Sequence, residues 1–165
     1  MGRPRRVSES VVVAAGPAAV WSAVSDPTRT HRWSPENTGA VVDGPLRVGA
    51  TFTGRNRRFG ASWSTSATVT AWEPERRFAF RVDAIGVRTP RVRARNASWE
   101  YRLEPVDGGT RVTETWTDDR PWPDAVATVF DLVVTRGSSF AEHTRRNLRA
   151  SLAGLRRELD GDRSG

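Results

Sequence analysis

Residues 97–118, ASWEYRLEPVDGGTRVTETWTD, decide the fold. Ala97 to Glu104 puts Trp99, Tyr101 and Leu103 on one side and Glu100 and Arg102 on the other. Thr110 to Asp118 repeats the device, with Val112, Glu114 and Trp116 set against Thr113 and Thr115. A side-chain period of two marks a half-buried strand. Asp107-Gly-Gly109 between the runs is a tight turn, built from residues that tolerate positive φ. The stretch is a β-hairpin, and so short a connection makes its strands antiparallel.

Towards the N-terminus the same period recurs. It predicts strands near Ala40–Val42, Ala50–Arg57, Ser62–Trp72 and Phe78–Asp83, punctuated by Asp43-Gly-Pro45 and Glu73-Pro-Glu75. The Ala84–Asn96 connection is longer than a hairpin needs, and is read as either a mobile rim or an arginine-rich surface loop. Further upstream, Val7–Ala14 reads as the first strand. Gly16-Pro17 starts a helix with Val20, Ala23 and Val24 on its inner stripe, and Asp26 caps a second short helix through about Trp33, which Pro35 limits.

Beyond Pro121 the period changes to that of a helix. Val126, Val129, Phe130, Val133 and Val134 share one face, and Leu148, Leu152, Leu155 and Leu159 continue it. Gly137 interrupts them, and Ser139 with Glu142 has capping-box spacing, so either a kink or two consecutive helices is expected. The class is α+β: an antiparallel sheet with a long C-terminal helix and two short helices after the first strand. The 165 residues fit one domain, 7–159, between a flexible basic tail at 1–6 and a flexible tail at 160–165.

Composition excludes several chemistries. With no cysteine, there are no disulfides, thiolate metal sites or cysteine nucleophiles, and with every basic residue an arginine there is no Schiff-base or P-loop lysine. No apolar run is long enough to cross a membrane and none follows Met1-Gly-Arg-Pro-Arg-Arg6, so a cytoplasmic protein without stable membrane insertion is expected. The net charge of +7 is scattered: Arg145, Arg146, Arg149, Arg156 and Arg157 oppose the apolar stripe of the last helix, and Arg88, Arg91, Arg93 and Arg95 lie in or beside the long connection. No stacking motif or recognition helix accompanies them, so specific nucleic-acid binding is not expected. His31 and His143 lack partners at ligand spacing; neither a metal nor any other cofactor is expected.

Alternation gathers Phe52, Trp63, Val69, Phe78, Phe80, Trp99, Tyr101, Leu103, Val112 and Trp116 on the inner face, and Ser62, Ser64, Ser66, Arg81 and Thr115 among others on a water-facing one. Core packing and pocket lining both account for such rings. Glu114 shares the inner parity, where an unpaired carboxylate would cost several kcal/mol. Its compensation is an inward arginine, pocket water, a ligand hydroxyl or a raised pKa; Glu114 is then either a carboxylate near the strand end, paired with arginine or reaching solvent, or the polar anchor of a pocket. Asn56 is a second inward polar group or a strand-end turn residue.

The opening strand with Gly16-Pro-Ala-Ala-Val-Trp-Ser-Ala-Val-Ser-Asp-Pro27, Trp33-Ser-Pro-Glu36, Gly49-Ala-Thr-Phe-Thr-Gly54, Trp99-Glu-Tyr-Arg-Leu-Glu-Pro105 and Gly108-Gly-Thr-Arg-Val-Thr-Glu114 together resemble the START-like, or SRPBCC, superfamily, and most of all its actinobacterial polyketide cyclase/dehydrase-type members. The resemblance implies a Bet v 1-like helix-grip fold, a curved six- or seven-stranded sheet wrapped around the C-terminal helix over a deep apolar cavity. The histidine pair and carboxylate of the superfamily's iron-dependent members are missing. A hydrophobic or aromatic small molecule, lipid or polyketide-like, is the expected partner. Expected ligand-binding residues are Trp33, Phe52, Asn56, Trp63, Phe80, Trp99, Tyr101, Glu114, Trp116 and Phe130. The alternative is a polyketide aromatase/cyclase or dehydratase, with Glu114 as acid/base and Tyr101 as hydroxyl donor. A third reading is an interaction module whose basic loop and helix face bind acidic partners in a salt-sensitive way. The oligomeric state is left open.

Overall fold

The hairpin at residues 97–118 forms as its alternation requires. In a computed structural model, which describes residues 2–161, β7 (Ala97–Val106) pairs antiparallel with β8 (Gly109–Asp118), placing Trp99 opposite Trp116, Tyr101 opposite Glu114 and Leu103 opposite Val112. Around it lie β1 (Arg6–Val13), β2 (Asn37–Asp43), β3 (Thr51–Arg58), β4 (Ala61–Glu73) and β5 (Arg77–Gly86) in the order β1-β8-β7-β5-β4-β3-β2, every pair antiparallel. The long connection is not wholly irregular: its first residues extend β5, and Val92–Arg93 form a two-residue β6 on the edge of β5.

The helices follow their local signals. Pro17 opens α1 (Pro17–Val24), whose Val20, Ala23 and Val24 are buried. Asp26 accepts a bond from the Thr28 amide at 3.0 Å and caps a turn that is 3-10 rather than α, Pro27–Arg32. The C-terminal region is two helices: α2 (Asp124–Val134) and α3 (Phe140–Gly161), separated at Gly137, where φ is 96°. Ser139 and Glu142 close the expected capping box, each side chain accepting from the other's amide at 3.2 and 3.4 Å. α3 reaches Gly161, so Asp160 is helical; Met1 and the remaining tail residues 162–165 lie outside the described residues. At the other end, Arg3 is tied down through Asp118 at 2.9 Å and Asp124 at 3.0 Å.

α3 lays Leu152, Leu155 and Leu159 against the sheet, where they join Val13, Phe52, Val69, Phe78, Leu103 and Val112, while Leu148 packs with Val7, Ala97 and Trp116 in a second cluster. Contact is closest at Gly154: a Cβ there would sit 2.7 Å from the Trp33 carbonyl oxygen, so only glycine lets the segment after the 3-10 helix press onto α3. Two departures from simple alternation stand out. A bulge between Val69 and Ala71 sets Trp72 opposite Phe78, and its ring meets Trp21 edge-on at 5.1 Å, adding it to the core. Ser64 and Thr115, expected in water, are buried; Ser64 donates to the Arg88 carbonyl of the loop that folds over it, and Thr115 bonds Ser8 at 2.8 Å.

Candidate functional site

Glu114 points inward and is 3% exposed. The inward arginine expected as one possible partner is absent from its side. Instead the Tyr101 hydroxyl, from the neighbouring strand, donates to Glu114 Oε1 at 2.9 Å. Burial pushes the carboxyl up to about 8, although Tyr101 and then Ser151, facing it from α3, draw it down. Glu114 is therefore a neutral acid near pH 7. Burial, and then the Glu114 charge, push the Tyr101 phenol upward as well, so it stays a donor. Two buried polar side-chain atoms lack a hydrogen-bond partner among the described residues: Glu114 Oε2 and the indole Nε1 of Trp33, which approaches Tyr101 without forming a bond. An unmet acid oxygen and an unmet N–H thus flank one phenol inside an aromatic interior.

Trp33, Phe52, Tyr101 and Trp116 are buried, while Asn56, Trp63, Phe80 and Trp99 hold inner parity but remain half-buried. Phe80 stacks on Trp99 with centroids 5.8 Å apart and meets Phe52 at 5.2 Å, so the rings pack on one another. Trp116 packs on Phe140 at 5.3 Å, where α3 begins. Phe130 does not join them. Its helix α2 buries only Ala127 and Asp131 and turns the apolar stripe outward, so Phe130 meets Trp122 at 5.2 Å on the surface. Helical spacing identifies an apolar side without saying what covers it.

A second polar group was illegible in the sequence. The Glu36 carboxylate accepts from Arg58 Nη2 at 2.9 Å, Asn147 Nδ2 at 2.7 Å and His143 Nε2 at 3.1 Å, joining the segment before β2, the end of β3 and the first turns of α3. Burial raises this acid, but the bonds from His143, Arg58 and Asn147 outweigh it and hold it at about 2. Arg58 also lies over the Trp63 and Phe140 rings, at 5.4 and 5.8 Å. The inward arginine therefore exists, and serves Glu36. His143 does meet a carboxylate, but no cluster of three or more potential metal ligands occurs among the described residues.

Arg120 fixes α2 to the end of β8. It donates to Asp118 at 2.8 and 2.9 Å and to Asp131 at 2.7 and 3.1 Å, all three being buried. Two external concavities accompany this interior. One of about 270 Å³ lies between β1 and α3, lined by Glu9, Val11, Arg149 and Arg156 among others. The other, about 410 Å³, is bounded by Ala14–Gly16, Ala19 and the Gly108–Gly109 turn. Neither is lined by an inward ring or by Glu114.

Residues 4–160 match the sequence model of a family described as polyketide cyclase/dehydrase and lipid transport. No curated protein matches the chain in sequence. Among solved structures, the polyketide-cyclase-like protein Cgl2372 from Corynebacterium glutamicum is 31% identical, with 95% of this chain and 92% of that one covered and a TM-score of 0.55. Protein NE0264 from Nitrosomonas europaea covers both chains fully at 16% identity and a TM-score of 0.68. DynU16, titled a putative protein in the dynemicin biosynthetic locus, is 19% identical with a TM-score of 0.63; the match spans 95% of this chain and 48% of that one.

Proposed function

The chain belongs to the polyketide cyclase/dehydrase and lipid transport family, and we propose that it holds a hydrophobic or aromatic small molecule, lipid or polyketide-like, between its sheet and α3, with Glu114 and Tyr101 as the polar anchor. The observation that carries this reading is the pair of unmet buried atoms, Glu114 Oε2 and Trp33 Nε1. Native interiors satisfy nearly all their polar groups. A ligand carbonyl or hydroxyl oxygen placed there would satisfy both, accepting from the neutral acid and the indole, while aromatic side chains enclose its apolar body. Trp63, Phe80 and Trp99, inward yet half-buried, mark the side where the interior meets solvent. Since the inner rings pack together, entry involves their rearrangement.

Native mass spectrometry of protein purified from its own host identifies the molecule, and its affinity is then measured against pH. Binding is expected to weaken as pH rises through about 8, where the wild-type acid ionises, and to lose that dependence in Glu114→Gln. Equal affinity of both proteins at every pH would remove Glu114 from the site.

One observation favours a second reading. A carboxyl kept neutral beside a phenol is a proton source suited to the cyclisation, aromatisation or dehydration of a poly-β-ketone. In that case Glu114 is the acid/base and Tyr101 the hydroxyl donor. Turnover of a polyketide mimic that vanishes in Glu114→Gln, with binding retained, selects the enzyme over the carrier.

A further inference from the structure

The end of the sheet that carries α2 holds most of the exposed apolar side chains among the described residues. Of the twelve large hydrophobic side chains exposed among the described residues, nine lie at this end. α2 supplies Val126, Val129, Phe130, Leu132 and Val133, with Val129 65% and Val133 73% exposed. Trp122 precedes them, Phe59 tips the β3–β4 hairpin, and Val87 and Val92 stand on the β5–β7 connection. The registers show that these belong to one end: Asp118 pairs with Ala97, Ser64 with Gly86 and Arg58 with Ala61. The Arg136 guanidinium, 4.5 Å over the Phe59 ring, joins the hairpin tip to the end of α2.

The charge at this end is equally one-sided. Arg57, Arg88, Arg91 and Arg95 are exposed and form no ion pair among the described residues. The acids nearby are engaged: Asp118 and Asp131 with Arg120, Asp124 with Arg3 and Arg5, Glu36 with Arg58, Asp119 with the Ser98 hydroxyl and Glu142 with the Ser139 amide. A second copy of this chain would bring the same positive sign to the contact. Nucleic acid would match the arginines but leave nine apolar side chains unused. An anionic lipid surface answers both, accepting apolar groups at the headgroup boundary and arginines at its phosphates. With eleven residues α2 is about 16 Å long, too short to span a bilayer, so it would lie in the surface plane.

We propose that the protein docks peripherally on anionic membranes through this end, α2 and the Phe59 hairpin tip entering the headgroup region and the arginines of the β5–β7 connection contacting lipid phosphates. This surface would dock whatever the interior binds, since only exposed side chains take part.

The test is co-sedimentation of the full chain with phosphatidylcholine vesicles, pure or containing about a third phosphatidylglycerol. Retention on the anionic vesicles alone, falling as salt is raised, is expected. The double substitutions Val129→Glu with Val133→Glu, and Arg91→Glu with Arg95→Glu, change exposed side chains; with circular dichroism unchanged, each is expected to lower partitioning about tenfold or more. No preference for the anionic vesicles, or unaltered binding by both variants, overturns the proposal. So does a dimer that the valine pair dissolves while vesicles are ignored, or duplex DNA retained in place of vesicles.

Discussion

Glu114→Gln tests the interior most directly, because its effect on stability reverses the usual intuition about losing a native side chain. The carboxyl titrates at about 8 in the folded protein against an ordinary 4.5, with burial the leading cause. Between those values the native state holds one more proton than the unfolded chain, so the free energy of unfolding falls by about 1.4 kcal/mol per pH unit. The contribution is fully present below 4.5 and gone above about 8, a total of about 5 kcal/mol, large against the ~5–15 kcal/mol of a typical domain. Glutamine keeps the shape and an acceptor for Tyr101 but has no proton to lose. Urea titrations of both proteins at about pH 5.5 and 7.5 should therefore show the variant gaining about 3 kcal/mol relative to wild type over that interval. Glu36 and Asp118, both held below the ordinary range, do not interfere: their stabilisation is lost only as pH falls through the carboxylate region, and equally in both proteins. A stability difference that is the same at the two pH values refutes the neutral, buried acid.

Gly154→Ala gains helix propensity of about 1 kcal/mol, yet its Cβ would press on the Trp33 carbonyl at 2.7 Å and the Trp33 Cβ at 3.0 Å; a net loss of about 1–3 kcal/mol in urea melts is expected, and a more stable variant would show that Trp33 yields. Arg120→Leu leaves Asp118 and Asp131 buried without their shared cation, which should cost about 3–5 kcal/mol; thermal unfolding indistinguishable from wild type contradicts that. Glu36→Gln removes an acid held at about 2, so its stability deficit should be present at neutral pH and shrink as pH falls below 4.5, read by urea melts across that range.

What the sequence makes legible is what local periodicity encodes. The inward parity of Glu114, the break at Gly137 and the Ser139–Glu142 box each follow from spacing within a few residues, and each stands in the structure. The Glu36 cluster is different. His143 lies 107 residues from that acid and Asn147 111, and nothing in either neighbourhood announces the other. Trp72 is not legible as a core residue, because one bulge changes side-chain parity. Phe130 is expected inside from a periodic stripe, but a stripe need not be covered, and α2 is held through buried Asp131 instead.

That mode of attachment makes stability uneven along the chain. A helix clasped by guanidinium groups at Asp124 and Asp131, with little grease beneath it, can come away while strands and α3 stay intact, because opening exposes hardly any new hydrocarbon to water. Amides 124–134 should accordingly exchange with deuterium well before those of β7 and β8, and proteases should nick the 119–139 stretch first, leaving a folded remainder.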